Sequence, residues 1–154
     1  MSRAFVKEGD AAEGEPLAEL QVSPYRNLVT PDGLAQIQAN IERLRAGLSA
    51  ARATEDRAAI NLIQRDLRYW NERQRTAEPV PPPSFGGPAR FGSAVVLELP
   101  DGSRVTYRIV GEDEAEPAAG KISYVSPIGR ALIGKTIGDS ISLREGSAEI
   151  VALE

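Results

Sequence analysis

The sequence contains neither cysteine nor histidine among its 154 residues. This absence excludes zinc sites of the Cys/His type, thiol nucleophiles and every catalytic triad that is built on histidine. It also excludes disulfides, which agrees with a reducing cytoplasm. No apolar run approaches the ~20 residues that a membrane span needs, and the first residues lack the apolar stretch of a signal peptide. We therefore expect a cytoplasmic protein with no membrane partner.

The chain carries a net charge of −4, which argues against a protein that binds nucleic acid over its whole surface. The distribution of charge along the chain is more informative. Residues 1–24 carry two basic and five acidic residues, for a net of −3, and lack an apolar period. We predict that they form a disordered acidic tail. Hydrophobic residues make up 42% of the sequence, which is enough to support a folded core in the remainder.

Residues 25–78 are predicted to form an antiparallel coiled-coil hairpin. Thr30-Pro31-Asp32-Gly33 predicts a helix start, with Thr30 as N-cap and Pro31 at the first helical position. Two apolar seams at heptad spacing follow. The first seam contains Leu34, Ile37, Ile41, Leu44, Leu48 and Ala51, and the second contains Ile60, Ile63, Leu67, Trp70 and Gln74. Antiparallel folding pairs Leu44 with Ile63 and places the turn near 52–56.

Residues 90–154 are predicted to form a small antiparallel sheet with one short helix, so the fold class is α+β. A linker rich in proline and glycine, residues 79–89, separates this sheet from the hairpin. Strands are predicted at 94–99, 104–110, 121–126, 140–144 and 147–153, with an Asp101-Gly102 turn between the first two. Ser126 and Pro127 predict the start of the short helix, and Gly134 predicts its left-handed end.

Two long motifs in this second region carry a family resemblance. The run Ser126-Pro127-Ile128-Gly129-Arg130-Ala131-Leu132-Ile133-Gly134-Lys135, followed by Gly138-Asp139, resembles the C-terminal domain of the GreA/GreB transcript-cleavage factors. The upstream run Val105-Thr106-Tyr107-Arg108-Ile109-Val110-Gly111-Glu112-Asp113-Glu114-Ala115 strengthens the resemblance. In that family a coiled-coil hairpin precedes an FKBP-like domain, and the first helix has a similar Thr-Pro-Glu-Gly start. The resemblance therefore spans roughly residues 28–154.

The resemblance implies a regulator of transcription elongation whose partner is RNA polymerase. The globular domain would dock at the rim of the polymerase secondary channel through Val125, Ser126, Pro127 and Ile128. The hairpin would enter the channel, and acids at its tip would help to hold the catalytic magnesium of the polymerase. The protein would not be an enzyme itself, would bind no cofactor of its own, and would meet nucleic acid only within the transcription complex. A second interpretation, compatible with docking, is that Ser126-Pro127 only caps the short helix.

The candidate metal-assisting acids at the hairpin tip are Asp56 and Glu55. Alignment on the family tip matches one acid with Asp56, whereas Ala59 stands where the family has a glutamate. The alternative interpretation is structural. Thr54 would be the N-cap of the second helix, and both acids would lie in its first turn, where the helix dipole stabilises acids.

The first helix is expected to run from Pro31 to Ala53, or about 34 Å at 1.5 Å per residue. By the resemblance, each arm is about two turns shorter than in a cleavage factor, so the tip would end roughly 10 Å short of the polymerase metal. This length is closer to the short-hairpin branch that includes Rnk, the regulator of nucleoside diphosphate kinase. We therefore expect a competitor of the cleavage factors that does not itself promote cleavage.

Two other classes of function are alternatives to a transcription factor. An FKBP-like domain suggests a peptidyl-prolyl isomerase, but that activity needs an aromatic-lined pocket. The predicted globular part offers only Phe85, Phe91, Tyr107 and Tyr124. An adaptor whose hairpin binds some other partner is the third possibility, and the sequence leaves it open.

Overall fold

In the computed structural model, the described residues are 17–84 and 86–154. The chain forms two compact units, one made of the residues up to Ser23 with Gln38–Arg75, the other of Pro24–Ile37 with Thr76–Glu154. The first 16 residues of the predicted disordered tail lie outside the described residues. The rest of that tail, residues 17–24, is described, and up to Ser23 it belongs to the helical unit.

The helical hairpin consists of α1 (Pro31–Ala53, 23 residues) and α2 (Arg57–Thr76, 20 residues). The predicted length of the first helix and the predicted turn are both confirmed. Ile41, Leu44 and Ala51 of the first seam are buried, and so is Leu67 of the second. The two helices approach closely at Gly47, where a Cβ atom would lie 3.5 Å from Cδ1 of Ile63.

The second seam differs from the prediction at its last position. Gln74 is exposed, and the neighbouring Arg73 is buried with 1% of its surface accessible. The spacing from Trp70 is therefore three residues instead of four. Residues three and four positions after Trp70 both lie on the buried face of the helix, so the sequence offers only apolarity to decide which of them is buried. That criterion cannot identify an arginine as the buried residue.

The second unit begins with residues that lead into the hairpin and follow it. Strand β1 (Leu28–Val29) pairs in parallel with β2 (Glu78–Pro79), so the start of the predicted linker lies in a small sheet. Asn27 is buried and donates a 3.2 Å hydrogen bond from Nδ2 to the Thr76 hydroxyl. At the other end of the predicted linker, Ala89 is 2% exposed and belongs to the hydrophobic core.

A five-stranded sheet forms most of the second unit, with the strand order β5-β4-β3-β7-β6. Its strands are β3 (Ala94–Glu98), β4 (Arg104–Val110), β5 (Lys121–Ser123), β6 (Ser140–Leu143) and β7 (Gly146–Leu153). The core is built from inward-facing side chains of these strands, including Val95, Leu97, Ile109, Ile122, Ile141 and Ile150. The 3-10 turn Pro117–Ala119 and helix α3 (Pro127–Leu132) complete the unit.

The sheet is antiparallel, as predicted, except where β4 meets β5. These two strands pair in parallel, with Arg108 beside Lys121 and Ile109 beside Ile122. The connection between them contains the 3-10 turn, which lets the chain cross over before it returns to the sheet edge. The predicted strand 121–126 ends early, at Ser123, because the chain turns there toward α3. The predicted α+β architecture is confirmed with this one change of strand direction.

None of the helices within residues 17–84 and 86–154 is long and apolar enough to cross a membrane.

Candidate docking loop and hairpin tip

The candidate docking loop, residues 125–128, connects the end of β5 to the start of α3. Ser126 is the N-cap of α3, as predicted, because its Oγ accepts a 3.1 Å hydrogen bond from the Gly129 N–H. The same hydroxyl donates a 2.6 Å hydrogen bond to the Ser123 carbonyl. The Val125 N–H donates a 3.2 Å hydrogen bond to the Ser123 hydroxyl. The loop is thus tied to the strand that precedes it and to the helix that follows it.

Glycine at position 129 is required by the packing of α3. A Cβ atom there would lie 2.2 Å from the Ser123 carbonyl oxygen, which is backbone and cannot move aside. The helix therefore lies directly against the end of β5. The Ser126, Pro127 and Gly129 positions of the motif all have a structural role, which agrees with the capping interpretation and leaves docking possible.

The four loop residues differ in how much of their surface a partner could reach. Pro127 is exposed, whereas Val125, Ser126 and Ile128 are half-buried, and Ile128 packs against the hydrophobic core. Pro127 therefore offers the most accessible side chain of the four.

Exposed side chains beside Pro127 enlarge the surface around the loop. Arg130 and Ile133 follow Pro127 at three-residue spacing, and Ile133 is 40% exposed. Arg130 donates a 3.0 Å hydrogen bond to the Tyr25 hydroxyl, and its guanidinium carbon lies 5.4 Å from the centre of the Tyr25 ring.

The residue after Tyr25 is also held near the loop, because the Tyr124 hydroxyl donates a hydrogen bond to the Arg26 carbonyl. Sequence reasoning missed Tyr25, because 105 positions separate it from Arg130.

The hairpin tip places its two acids differently from the prediction. Glu55 has a positive φ of 54° and lies between the helices. Asp56, rather than Thr54, is the N-cap of α2, because its Oδ1 accepts a 3.1 Å hydrogen bond from the Ala59 N–H. The Thr54 hydroxyl instead points back to α1 and donates to the carbonyls of Ala50 and Ala51. The two acids are therefore not in the first turn of α2.

Both tip acids are exposed. The left-handed conformation of Glu55 reverses the chain, and the carboxylate of Asp56 is directed at its own helix. In the part of the chain that the structure describes, no group of three or more acidic side chains is arranged to hold a metal ion. The tip acids would therefore need ligands from a partner to contribute to a metal site.

Sequence reasoning also missed the role of Glu114, which it treated only as part of a family motif. Glu114 is 7% exposed and accepts a hydrogen bond from the Thr30 hydroxyl. The Thr30 hydroxyl in turn accepts a 2.9 Å hydrogen bond from the Gly33 N–H, which confirms Thr30 as the N-cap of α1. Lys121 lies 3.9 Å from the other carboxylate oxygen. A buried charged acceptor therefore fixes the start of α1.

Two clefts of the second unit bear on the isomerase alternative. The larger, of about 580 Å³, lies beside residues 83–84, residues 86–88 and the end of β7. The smaller, of about 320 Å³, lies beside Thr30, Arg108 and Glu114. No aromatic side chain belongs to the described lining of either cleft. Among the described residues, neither cleft thus shows the aromatic lining that the isomerase alternative requires.

Comparison with known proteins extends the resemblance beyond the two motifs. The family model described as "Transcription elongation factor, GreA/GreB, C-term" matches residues 86–154. The sequence is 35% identical over 136 residues to transcription elongation factor GreA of Rhodospirillum rubrum, across 75% of this chain and 87% of that protein. It is 52% identical over 58 residues to transcription elongation factor GreA of Legionella pneumophila, across 37% of this chain and 36% of that protein.

Among solved structures, the chain matches that of GreA factor homolog 1 (Gfh1) of Thermus thermophilus. That comparison has a TM-score of 0.40 and 24% identity, and it covers 82% of this chain and 97% of that chain. The family assignment rests on the sequence relatives, because the alignment with the Rhodospirillum protein includes most of both chains. The chain therefore belongs to the GreA/GreB family of transcription elongation factors.

Proposed function

We propose that this protein binds RNA polymerase at the secondary channel and regulates elongation, with the loop of residues 125–128 as its docking contact. The observation that carries this proposal is family membership across most of the chain, together with an exposed Pro127 in the matched loop. The hydrogen bonds of Ser126 and the close packing at Gly129 support the proposal, because they hold the loop in one conformation before a partner arrives. A preorganised contact loses little conformational freedom on binding.

The protein is further proposed to act without strongly stimulating transcript cleavage. Helix α1 has 23 residues, so the arm is about 34 Å long. A carboxylate assists magnesium only by direct or water-mediated contact, which a short arm does not reach. The hydrogen bond from Ala59 also directs the Asp56 carboxylate toward its own helix. These features support a factor that occupies the polymerase site and competes with cleavage factors. We likewise propose that it acts without a cofactor of its own.

The docking proposal is tested by Pro127→Asp. Pro127 is the first residue of α3 and is exposed, and an acid is tolerated at that position of a helix. The variant should keep its melting temperature and lose affinity for core RNA polymerase by tenfold or so, since one contact at an interface centre contributes roughly 1–2 kcal/mol.

Pro117→Asp is the matched control. Pro117 is likewise exposed and is the first residue of the 3-10 turn, so the substitution is the same in local structure and charge. The control should bind the polymerase like the unmodified protein. Equal affinity of the two variants, with both folded, would show that the loop is not the contact.

A further inference from the structure

The segment just before the globular unit is held against the hairpin by an ion pair. We call residues 17–23 the strap; it is neither helix nor strand. The Glu19 carboxylate accepts three hydrogen bonds from Arg68 of α2, at 2.6, 2.9 and 3.0 Å. The donors are two nitrogens of one guanidinium, and both face the same carboxylate. This forked geometry gives the strongest Arg–carboxylate pairs.

The charges of the two partners are complementary. Helix α2 carries five arginines and two acids, for a net of +3, whereas Glu19 is the one charged residue of the strap. The hydrogen bonds from Arg68, together with the nearby charge of Arg65, hold the pKa of Glu19 below its usual value. The strap therefore presents an anion to a basic helix of the same unit.

The strap is held only weakly by apolar contacts. Its three large apolar side chains, Leu17, Leu20 and Val22, remain 43%, 39% and 42% exposed. A segment with little buried apolar surface and no regular structure opens at low cost in free energy. The chain beyond the strap is anchored separately, through Tyr25 and Asn27. The strap can therefore leave α2 without disturbing the globular unit.

We propose that the strap is an autoinhibitory element, that the Glu19–Arg68 ion pair is its latch, and that it must leave α2 before the hairpin engages RNA polymerase. This inference rests on the proposed function. Its chemical basis is competition, because Glu19 occupies the Arg68 fork as an acidic side chain of the polymerase would. The short tether gives Glu19 a high effective concentration, so an external carboxylate must displace it. Release also frees the Arg68 guanidinium, which is 55% exposed even in the pair.

The state of the strap can be measured directly in the full-length chain. Because the sequence has no cysteine, Ala18→Cys and Ser49→Cys give two unique positions for spin labels, both exposed and both in the helical unit. The labelled protein with Glu19 and Arg68 unchanged should give a narrow distribution of distances between the labels. Glu19→Gln should broaden that distribution, and the charge swap Glu19→Arg with Arg68→Glu should restore it.

Glu72→Gln is the matched control, because Glu72 pairs with Arg75 on the same helix and the substitution removes the same charge. It should leave the distance distribution narrow. An unchanged distribution in Glu19→Gln, or equal broadening in Glu72→Gln, would overturn the latch.

Affinity for core RNA polymerase without nucleic acid then tests autoinhibition. Glu19→Gln should bind up to about fivefold more tightly than the unmodified protein, since one exposed ion pair sets the difference. Glu72→Gln should bind with the affinity of the unmodified protein. The gain in affinity of Glu19→Gln should shrink in high salt. A released strap with equal or weaker binding would overturn the autoinhibitory role. A released strap with no polymerase binding in any variant would overturn the proposed function and this role together, while the distance measurement would still establish the latch.

Discussion

At the scale of single residues, two glycines within helices differ in whether a side chain would fit at their positions. Gly129 of α3 has the Ser123 carbonyl oxygen where a side chain would begin, whereas Gly47 of α1 has only the end of Ile63 at ordinary contact distance. The first glycine is fixed by backbone packing. The second is an ordinary position in a helix interior, where glycine is less favourable than alanine.

Substitution of each glycine by alanine should therefore change stability in opposite directions. Gly129→Ala should lower the free energy of unfolding by about 1–3 kcal/mol, because the new Cβ displaces backbone. Gly47→Ala should raise it by about 0.4–1 kcal/mol, because it restricts the unfolded chain and fits the folded one. Chemical denaturation of both variants measures the difference, and a loss of stability in Gly47→Ala would mean that the helices pack more closely there than described.

Thr30 shows how a single hydroxyl serves two partners. It caps α1 through the Gly33 N–H and satisfies the buried carboxylate of Glu114. Thr30→Val should cost about 2–4 kcal/mol, because the cap and a hydrogen bond to a buried charged group are lost together. Thr54→Val is the control, since Thr54 is exposed and donates only long bonds of 3.3 and 3.4 Å. Equal costs in denaturant unfolding would argue against the Glu114 contact.

At the scale of elements, the hairpin depends on the buried face of α1. Leu44 is 7% exposed, whereas Leu62 of α2 is 45% exposed. Leu44→Ala should lower stability by about 2–4 kcal/mol, because it leaves a cavity in the seam. Leu62→Ala removes the same atoms from a partly solvated site and should cost less than about 1 kcal/mol. Similar losses of stability for the two variants, with helix content unchanged, would show that Leu44 is not buried between the helices.

At the scale of the whole molecule, exposed ion pairs contribute to the response to acid. Hydrogen bonds from arginine lower the pKa of Glu19, Glu72 and Glu78 below the usual 4.5. Since each folded pKa lies below its unfolded value, the pairs stabilise the fold above pH 4.5, and this contribution is lost as the pH falls through the lowered values.

Melting temperatures at pH 7 and pH 3 should therefore differ less in a variant with glutamine at positions 19, 72 and 78 than in the unmodified protein. High salt should reduce the difference in the same way, because the pairs are exposed. A triple variant with an unchanged response to acid would assign that response to other groups.

The activity proposed for the whole molecule depends on the length of its hairpin arms. We expect no strong stimulation of transcript cleavage in backtracked complexes, and we expect excess protein to slow the cleavage promoted by a full-length factor. This inhibition should weaken as the full-length factor is titrated at constant Mg²⁺, because both proteins would occupy one site. Robust cleavage that is lost in Asp56→Asn would restore Asp56 as a metal-assisting residue. The absence of both cleavage and competition would favour an adaptor with another partner.

The sequence by itself determined the elements whose signals are local. The N-caps Thr30 and Ser126, the extent of α1 and the Asp101-Gly102 turn each depend on hydrogen bonds between residues a few positions apart. Such bonds form whatever the rest of the chain does, so residue types at fixed spacing predict them. The tip is the exception, because Thr54 was predicted to cap α2, whereas the left-handed conformation of Glu55 places Asp56 at that position.

Tertiary structure alone decided the contacts between distant parts of the chain. The parallel pairing of β4 with β5, the link from Thr30 to Glu114 across 84 positions, and the Glu19–Arg68 ion pair have no local signal. Each depends on which surfaces folding brings together, and the same side chains would be solvated in another arrangement. The glycine at position 129 was visible as a motif, but the reason for it, a carbonyl oxygen of the neighbouring strand, exists only in the folded chain.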